Sequence, residues 1–486
     1  MKLYWFALVG ISLSTLVACG GGSSIPPPPP PAVHNEWTWM SGANAVYQKG
    51  IYGTMGAASP DNTPGARTSP LSWTDASGNL WLFCGYGIDS TGASGDLNDL
   101  WKYSGGQWTW MGGSSIIETK GVYGTQGTPA PGDVPGGRYE AARWTDASAN
   151  FWLFGGLGID SLGNRGYFND LWRYSNGEWT WMGGANLASS PGTVACPQGP
   201  GVYGAKGVAS SDNWPGARVD GMTWTDDSGN LWLFGGGGCD SNGAIGPLND
   251  LWKYSAGGWI WMSGSNTVVP AGANNGIYGT KGIASPNNVP GSRTNAVTWT
   301  DAAGSLWLFG GQGSDDATVG KCDVLPETCL LNDLWKYSSG EWTWVGGSNV
   351  IGASGVYGTM GTAASGNFPG ARWMAVSWID AEGNVWLFGG QGVDSETSPP
   401  VFGELNDLWK YSDGEWTWMS GSNLASATPL GVYGTMGVPS ASNVPTQRET
   451  AVGWIDHSGN LWLFGGNDDF CCAHGGAFND LWEYQP

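Results

Sequence analysis

One stretch recurs so strictly that it decides what this chain can fold into: Leu97 to Trp110, L-N-D-L-W-K-Y-S-G-G-Q-W-T-W. It returns with small changes from Asn169, Asn249, Asn332 and Asn406, and Asn479 to Tyr484 begins a sixth copy that lacks the second half. The missing half, Glu36-Trp37-Thr38-Trp39-Met40, stands alone near the other end of the chain. A length of 486 residues is too great for one ordinary core, and a repeat array resolves that difficulty.

The segments between copies repeat as well. After each W-T-W comes a V-Y-G-T-x-G-like segment, with its tyrosine at Tyr52, Tyr123, Tyr203, Tyr278, Tyr357 and Tyr433. A P-G-x-R element follows, ending in Arg67, Arg138, Arg218, Arg293, Arg372 and Arg448 (P-T-Q-R in the last). Then come a short apolar run to W-T-D or W-I-D, a D-x-x-G-N turn, L-W-L-F with a glycine pair, and a G-x-D loop back to N-D-L-W. Apolar runs this short, bounded by Gly, Asn and Asp, read as strands joined by tight hairpins. Each unit therefore holds four candidate strands, and four-stranded antiparallel units repeated radially are propeller blades. Thirty of the 33 tryptophans occupy five fixed positions in this frame, which marks them as packing between blades; only Trp5, Trp214 and Trp373 lie outside it. Trp214 and Trp373 are the two candidate ligand platforms.

The L-F-G-G pair, the Tyr and Trp spaced as in Tyr103 and Trp108, and the P-x-x-R before the first strand resemble kelch repeats. The longer W-T-W…V-Y-G-T-x-G…P-G-A-R…N-L-W-L-F-G-G…L-N-D-L-W-K-Y form is similar to bacterial exported kelch proteins often described as galactose-oxidase-like. The likeness covers residues 36 to 486; Cys84 departs from it, replacing the first glycine of its pair. The expected fold is all-β, a six-bladed kelch β-propeller over residues 35–486. Its ring would be closed by the N-terminal strand completing the last blade.

In such a blade the variable G-x-D loops and the long V-Y-G-T segments fall on one face, which is the expected ligand face. The six repeat arginines start the first strands on that face, as a candidate axial ring. Two readings stand: a cationic ring for carboxylate or sulfate groups, or a structural pair between each arginine and the aspartate of its own N-D-L-W, such as Arg67 with Asp99. Pairing is favoured, because an uncompensated buried charge is costly. The G-x-D carboxylates Asp89, Asp160, Asp240, Asp315, Asp394 and Asp468 occur one per unit, a pattern that suits turn capping better than calcium. No metal or other cofactor is expected: His34, His457 and His474 are scattered among a linker, a turn and a loop. Kelch propellers resembling N-acetylneuraminate epimerase carry out sugar chemistry with arginine and glutamate near the axis, and Glu140 and Glu449 follow Arg138 and Arg448 closely.

Lys2, the apolar run Leu3 to Leu13 and then Leu16-Val17-Ala18-Cys19 read as an export signal over residues 1–18. The L-V-A-C ending resembles a bacterial lipobox, implying lipidation of Cys19. Residues 19–34, rich in Gly, Ser and Pro, form a tether. An exported chain can form disulfides: Cys322 with Cys329 inside one insertion, and Cys196 with Cys239 in loops of one blade. The net charge of −21 excludes a nucleic-acid partner, which requires a basic stripe. The functional expectation is a monomeric, non-catalytic module for binding or adhesion, held by its lipid anchor to a bacterial envelope at the outer membrane. An extracellular protein or glycan would be its partner. The alternative is a carbohydrate-active enzyme of the epimerase, mutarotase or lyase kind, or a glycan-binding protein.

Overall fold

The structure, a computed structural model, describes residues 35–190, 196–268, 275–316, 329–395, 401–425, 431–468 and 476–486. Cys19, Cys322 and His474 lie outside these residues, as do both halves of the Cys471–Cys472 pair. Among the described residues all regular structure is β, in antiparallel sheets.

Each repeat forms one four-stranded meander. In the first unit the strands are Leu71–Thr74, Leu80–Ile88, Ser94–Ser104 and Gln107–Gly112, each hydrogen-bonded to the next. The D-x-x-G-N turn between the first two is locked by Asp75. Its carboxylate accepts the Ser77 and Asn79 amides at 2.9 and 3.0 Å and the Trp81 indole N–H at 2.8 Å. In the sixth unit the third strand, Leu481–Gln485, pairs with Glu36–Ser41, so the isolated W-T-W supplies the missing fourth strand.

Side-chain alternation along each strand explains the packing. Along the second strand of unit 1, Trp81 and Phe83 pack toward unit 2, whereas Leu80 and Leu82 pack toward unit 6. Both faces are therefore apolar, as a sheet covered on two sides must be. Equivalent cores lie between each pair of successive units, and that between units 6 and 1 joins Trp454, Trp462 and Phe464 to Trp101 and Trp108. The indole of Trp144 donates to the Trp232 carbonyl of the next unit, and Trp454 makes the same bond to Trp81, each at 2.8 Å.

The V-Y-G-T segments, placed by the sequence on the expected ligand face, are held to the sheets by hydrogen bonds. They run along the fourth strand: the Gly56 amide donates to the Trp110 carbonyl at 2.8 Å, and Asn62 Nδ2 donates to the Trp108 carbonyl at 3.1 Å. The segment thereby satisfies the open edge of each unit, the place where a sheet otherwise recruits foreign strands.

Candidate functional site

The six repeat arginines do not form a ligand ring. Arg67 makes two parallel bonds to Asp99 at 2.7 Å, a third to the Cys84 carbonyl at 2.9 Å and a fourth to the Gly65 carbonyl at 3.0 Å. Tyr52 Oη and the Trp101 indole N–H also donate to Asp99, both at 2.7 Å, and the two charged side chains are 0% exposed. The same bidentate node recurs at Arg138–Asp170, Arg218–Asp250, Arg293–Asp333, Arg372–Asp407 and Arg448–Asp480. Burial alone would lower the arginine pKa, but the facing carboxylate outweighs it and raises it. Burial and the same charge push the Tyr52 phenol far up, so it remains a donor. With its guanidinium bonds directed inward, none of these arginines lines a cavity on the axis.

Trp214 is not a platform either. Its indole donates to the Asn169 carbonyl of the preceding unit at 2.7 Å, and its ring lies 6.4 Å from Trp259 as filler between units 2 and 3. Trp373 is half-buried, with its indole N–H on Gln391 Oε1 at 2.9 Å. Cys196 and Cys239 are joined in a disulfide; Cys329 is also disulfide-bonded, and Cys84 is free and buried. Three of the G-x-D carboxylates are turn caps: Asp89 accepts the Thr91 and Ala93 amides at 2.8 and 3.0 Å, and the pattern repeats at Asp160 and Asp240. Among the described residues no group of three or more His, Cys, Asp or Glu side chains is placed to hold a metal.

Two residues after each arginine the units differ, and here the chemistry gathers. Ser69, Glu140, Asp220, Asn295, Met374 and Thr450 all adopt left-handed backbone conformations, with φ from 47° to 57°. For residues with a Cβ this costs roughly 1 kcal/mol each, and β-branched Thr450 is an outlier of its kind. The return is a chain of backbone bonds from unit to unit: Ser69 to Thr450, Asp220 to Glu140, Asn295 to Asp220, Met374 to Asn295, and Thr450 to Met374, at 2.9 to 3.4 Å. These six residues line one cavity of about 170 Å³.

Two carboxyls from adjacent units share that cavity. Burial raises Glu140 to about 7, Arg165 opposing the rise and Asp96 adding to it. Burial, and then the charge of Glu140, push Asp220 well above the ordinary carboxyl range, with Asn295 pulling the other way. Two carboxyls so placed cannot both ionise cheaply, and the pair titrates as one system. Tyr139, which precedes Glu140, turns its ring to Arg165, and Glu449 bridges to Asn467; neither lines this cavity. Arg165 is in turn held by Asp96 at 2.8 Å.

The first strands lead from this cavity to a second one of about 450 Å³, toward the D-x-x-G-N turns. Its walls carry Thr and Ser hydroxyls and the indoles of the first-strand tryptophans, and one cation, Arg143, touches both cavities.

The sequence pointed to Glu140 and Glu449 but missed Asp220 and Arg143. The usable signal was variation inside a strict repeat: the position two after the arginine reads Ser, Glu, Asp, Asn, Met, Thr, and the second residue of the first strand reads Ser, Arg, Thr, Thr, Ser, Gly.

No protein-family model matches the chain, and no curated protein sequence matches it. Among solved structures, that of YjhT aligns at 12% identity and a TM-score of 0.44, covering 86% of this chain and 95% of that one. A fungal alcohol oxidase of the AA5 family, in complex with copper, aligns at 12% identity and a TM-score of 0.45, covering 89% of this chain and 77% of that one.

Proposed function

We propose that this chain is a six-bladed β-propeller, closed by Glu36–Ser41, that binds a small sugar in its axial cavity and moves protons on it through Glu140 and Asp220. What carries the reading is the carboxyl pair: two groups on adjacent units facing the same cavity, Glu140 raised to about 7 and Asp220 raised well above the ordinary carboxyl range. General acid–base catalysis works best when the group's pKa lies near the working pH. The reaction suited to such a pair is mutarotation or epimerisation. One carboxylic acid gives its proton to the ring oxygen while the other group, as carboxylate, takes the proton of the anomeric hydroxyl. The bond between the anomeric carbon and the ring oxygen then breaks, and reclosure on the other face returns both protons.

The six repeat arginines offer a non-catalytic binding role no site, because they are consumed in ion pairs. The test is anomer exchange by NMR across a panel of monosaccharides, with Glu140→Gln and Asp220→Asn beside the wild type. Turnover lost in both variants supports the reading; sugar binding without turnover would return the chain to the binding-module class. Closure is tested by deleting residues 35–42, which should lower the melting temperature sharply; an unchanged melt argues against a closed ring.

We further propose export and anchoring through a lipid on Cys19, supported by the residues that precede it. Two acyl signals are needed for a stable anchor, and a lipobox cysteine would provide them. Incorporation of a labelled fatty acid, absent in Cys19→Ser, is the measurement.

A further inference from the structure

We infer that the larger axial cavity is a second ligand site, an anion-binding site built on Arg143 that takes an oxyanion such as a sulfate or a carboxylate. The inference does not depend on the sugar chemistry proposed for Glu140 and Asp220, which face the smaller cavity.

The starting point is a column of equivalent residues. The second residue of each first strand is Ser72, Arg143, Thr223, Thr298, Ser377 or Gly453. Five are small or absent side chains, and one is the longest cation available. That cation has almost no protein partner. Its Nη1 donates to the Ser72 carbonyl of the neighbouring unit, and among the described residues neither Nη2 nor Nε makes a bond. No carboxylate pairs with it, whereas the six repeat arginines and Arg165 all sit on an aspartate, and Arg173 lies over the Trp152 ring.

Burial lowers the Arg143 pKa to about 10, so it remains cationic at neutral pH. A half-buried guanidinium with two nitrogens unspent and no carboxylate partner among the described residues is open to an anion that enters the cavity. The cavity lets it be reached: it measures about 450 Å³, and no Asp or Glu is among the residues that line it. The hydroxyls divide into two sets. Those of Thr74, Thr225 and Thr298 donate to carbonyls of the neighbouring units. Those of Thr145, Thr223 and Ser377 line the same cavity and make no bond to the described residues, which leaves O–H donors beside Arg143. A planar fork with adjacent hydroxyls is the donor set that carboxylate and sulfate groups select.

The net charge of −21 repels anions at long range, so the affinity must come from this local donor set. A free inorganic oxyanion and the acid group of a uronic sugar present the same chemistry, and titration calorimetry on the full chain at constant ionic strength separates them. The probes are sodium sulfate, sodium glucuronate and uncharged glucose. The expected result is saturable 1:1 binding of sulfate or glucuronate at the Arg143 site, about tenfold or more weaker in Arg143→Gln and largely restored in Arg143→Lys. Binding of sulfate assigns an inorganic oxyanion; binding of glucuronate alone assigns a sugar acid. If Arg143→Gln loses its near-ultraviolet dichroism and so its packing, Thr223→Val serves instead, with a drop of a few-fold expected. Failure of both anions to bind the wild type, or equal binding to Arg143→Gln and Thr223→Val, overturns the site. Sulfate binding that persists in Glu140→Gln separates it from the smaller cavity.

Discussion

The chain holds arginines in two opposite ways. Six sit in copies of one node, where a bidentate aspartate, two backbone carbonyls, a tyrosine and a tryptophan leave almost nothing unsatisfied. Arg143 stands at the larger cavity with a single bond to a carbonyl and no carboxylate partner among the described residues. The first arrangement repeats without variation and faces the interior of its own unit; the second occurs in one unit only and faces a cavity. A charge answered by the chain's own residues holds the fold. A charge that the chain leaves unanswered is available to a ligand. The same contrast separates the turn-capping aspartates from Glu140 and Asp220, whose burial raises their affinity for protons instead of fixing them as carboxylates.

The sharpest way to break this distinction is to treat both arginine classes alike. Arg372→Gln removes one partner of a buried pair and strands Asp407 beside Tyr357 and Trp409, so a loss of about 3–5 kcal/mol is expected in urea unfolding. A loss below 1 kcal/mol would mean that the node is not structural. The two unplaced tryptophans offer the next contrast. Trp214→Ala removes filler between two units and the bond to the Asn169 carbonyl, for an expected loss of about 2–3 kcal/mol and no change in ligand binding. Trp373→Ala, at a half-buried side chain bonded only to Gln391 Oε1, should cost less stability. Reversal of that order would exchange their roles.

The strand frame was readable from the sequence because packing between units demands large apolar side chains at fixed places. Leu80 to Phe83 must be apolar on both faces, and the turn carboxylate of Asp75 must stand six residues before the Trp81 indole that it accepts. The arginine–aspartate pairing was readable too, from the cost of a buried charge. The carboxyl pair was only half legible. Glu140 was visible because it follows an arginine, but nothing in the local sequence says that Asp220, 80 residues on, shares its cavity. That contact comes from the left-handed turn after each arginine, which joins each unit's backbone to the next. The anchoring of the V-Y-G-T segments was not legible for a related reason: Asn62 and Gly56 bind them to a strand edge far away in sequence.

The carboxyl pair predicts a pH dependence opposite in sign to that of salt-bridged carboxylates. An ordinary glutamate loses its proton near 4.5, whereas Glu140 keeps its proton to about 7. Between those values the folded chain binds more protons than the unfolded one. The contribution is therefore full below the ordinary value and is lost as pH rises through 7. Raised Asp220 acts in the same direction. The expected decline from pH 5 to 8 is on the order of 1–3 kcal/mol, followed by melting temperature across that range. Asp220→Asn should flatten it; a slope unchanged in the variant would place the titration elsewhere.

The smallest expected effect bears most directly on the contrast between the two kinds of arginine. Arg143→Gln deletes a cation that has no carboxylate to strand, and the bond to the Ser72 carbonyl is one a glutamine amide can replace. Desolvation already works against this charge, as its lowered pKa records, so removing it relieves a cost while giving up little. The stability change without added anion should stay within about 1 kcal/mol, and its sign should favour the variant. Adding an anion that binds only the wild type must then reverse the order, because a ligand stabilises the state that binds it in proportion to the logarithm of its saturation. Urea unfolding of both proteins, with and without sodium sulfate, measures the two differences together. A loss of 3 kcal/mol or more in the variant without sulfate would make Arg143 a seventh structural arginine and remove the distinction between the two classes.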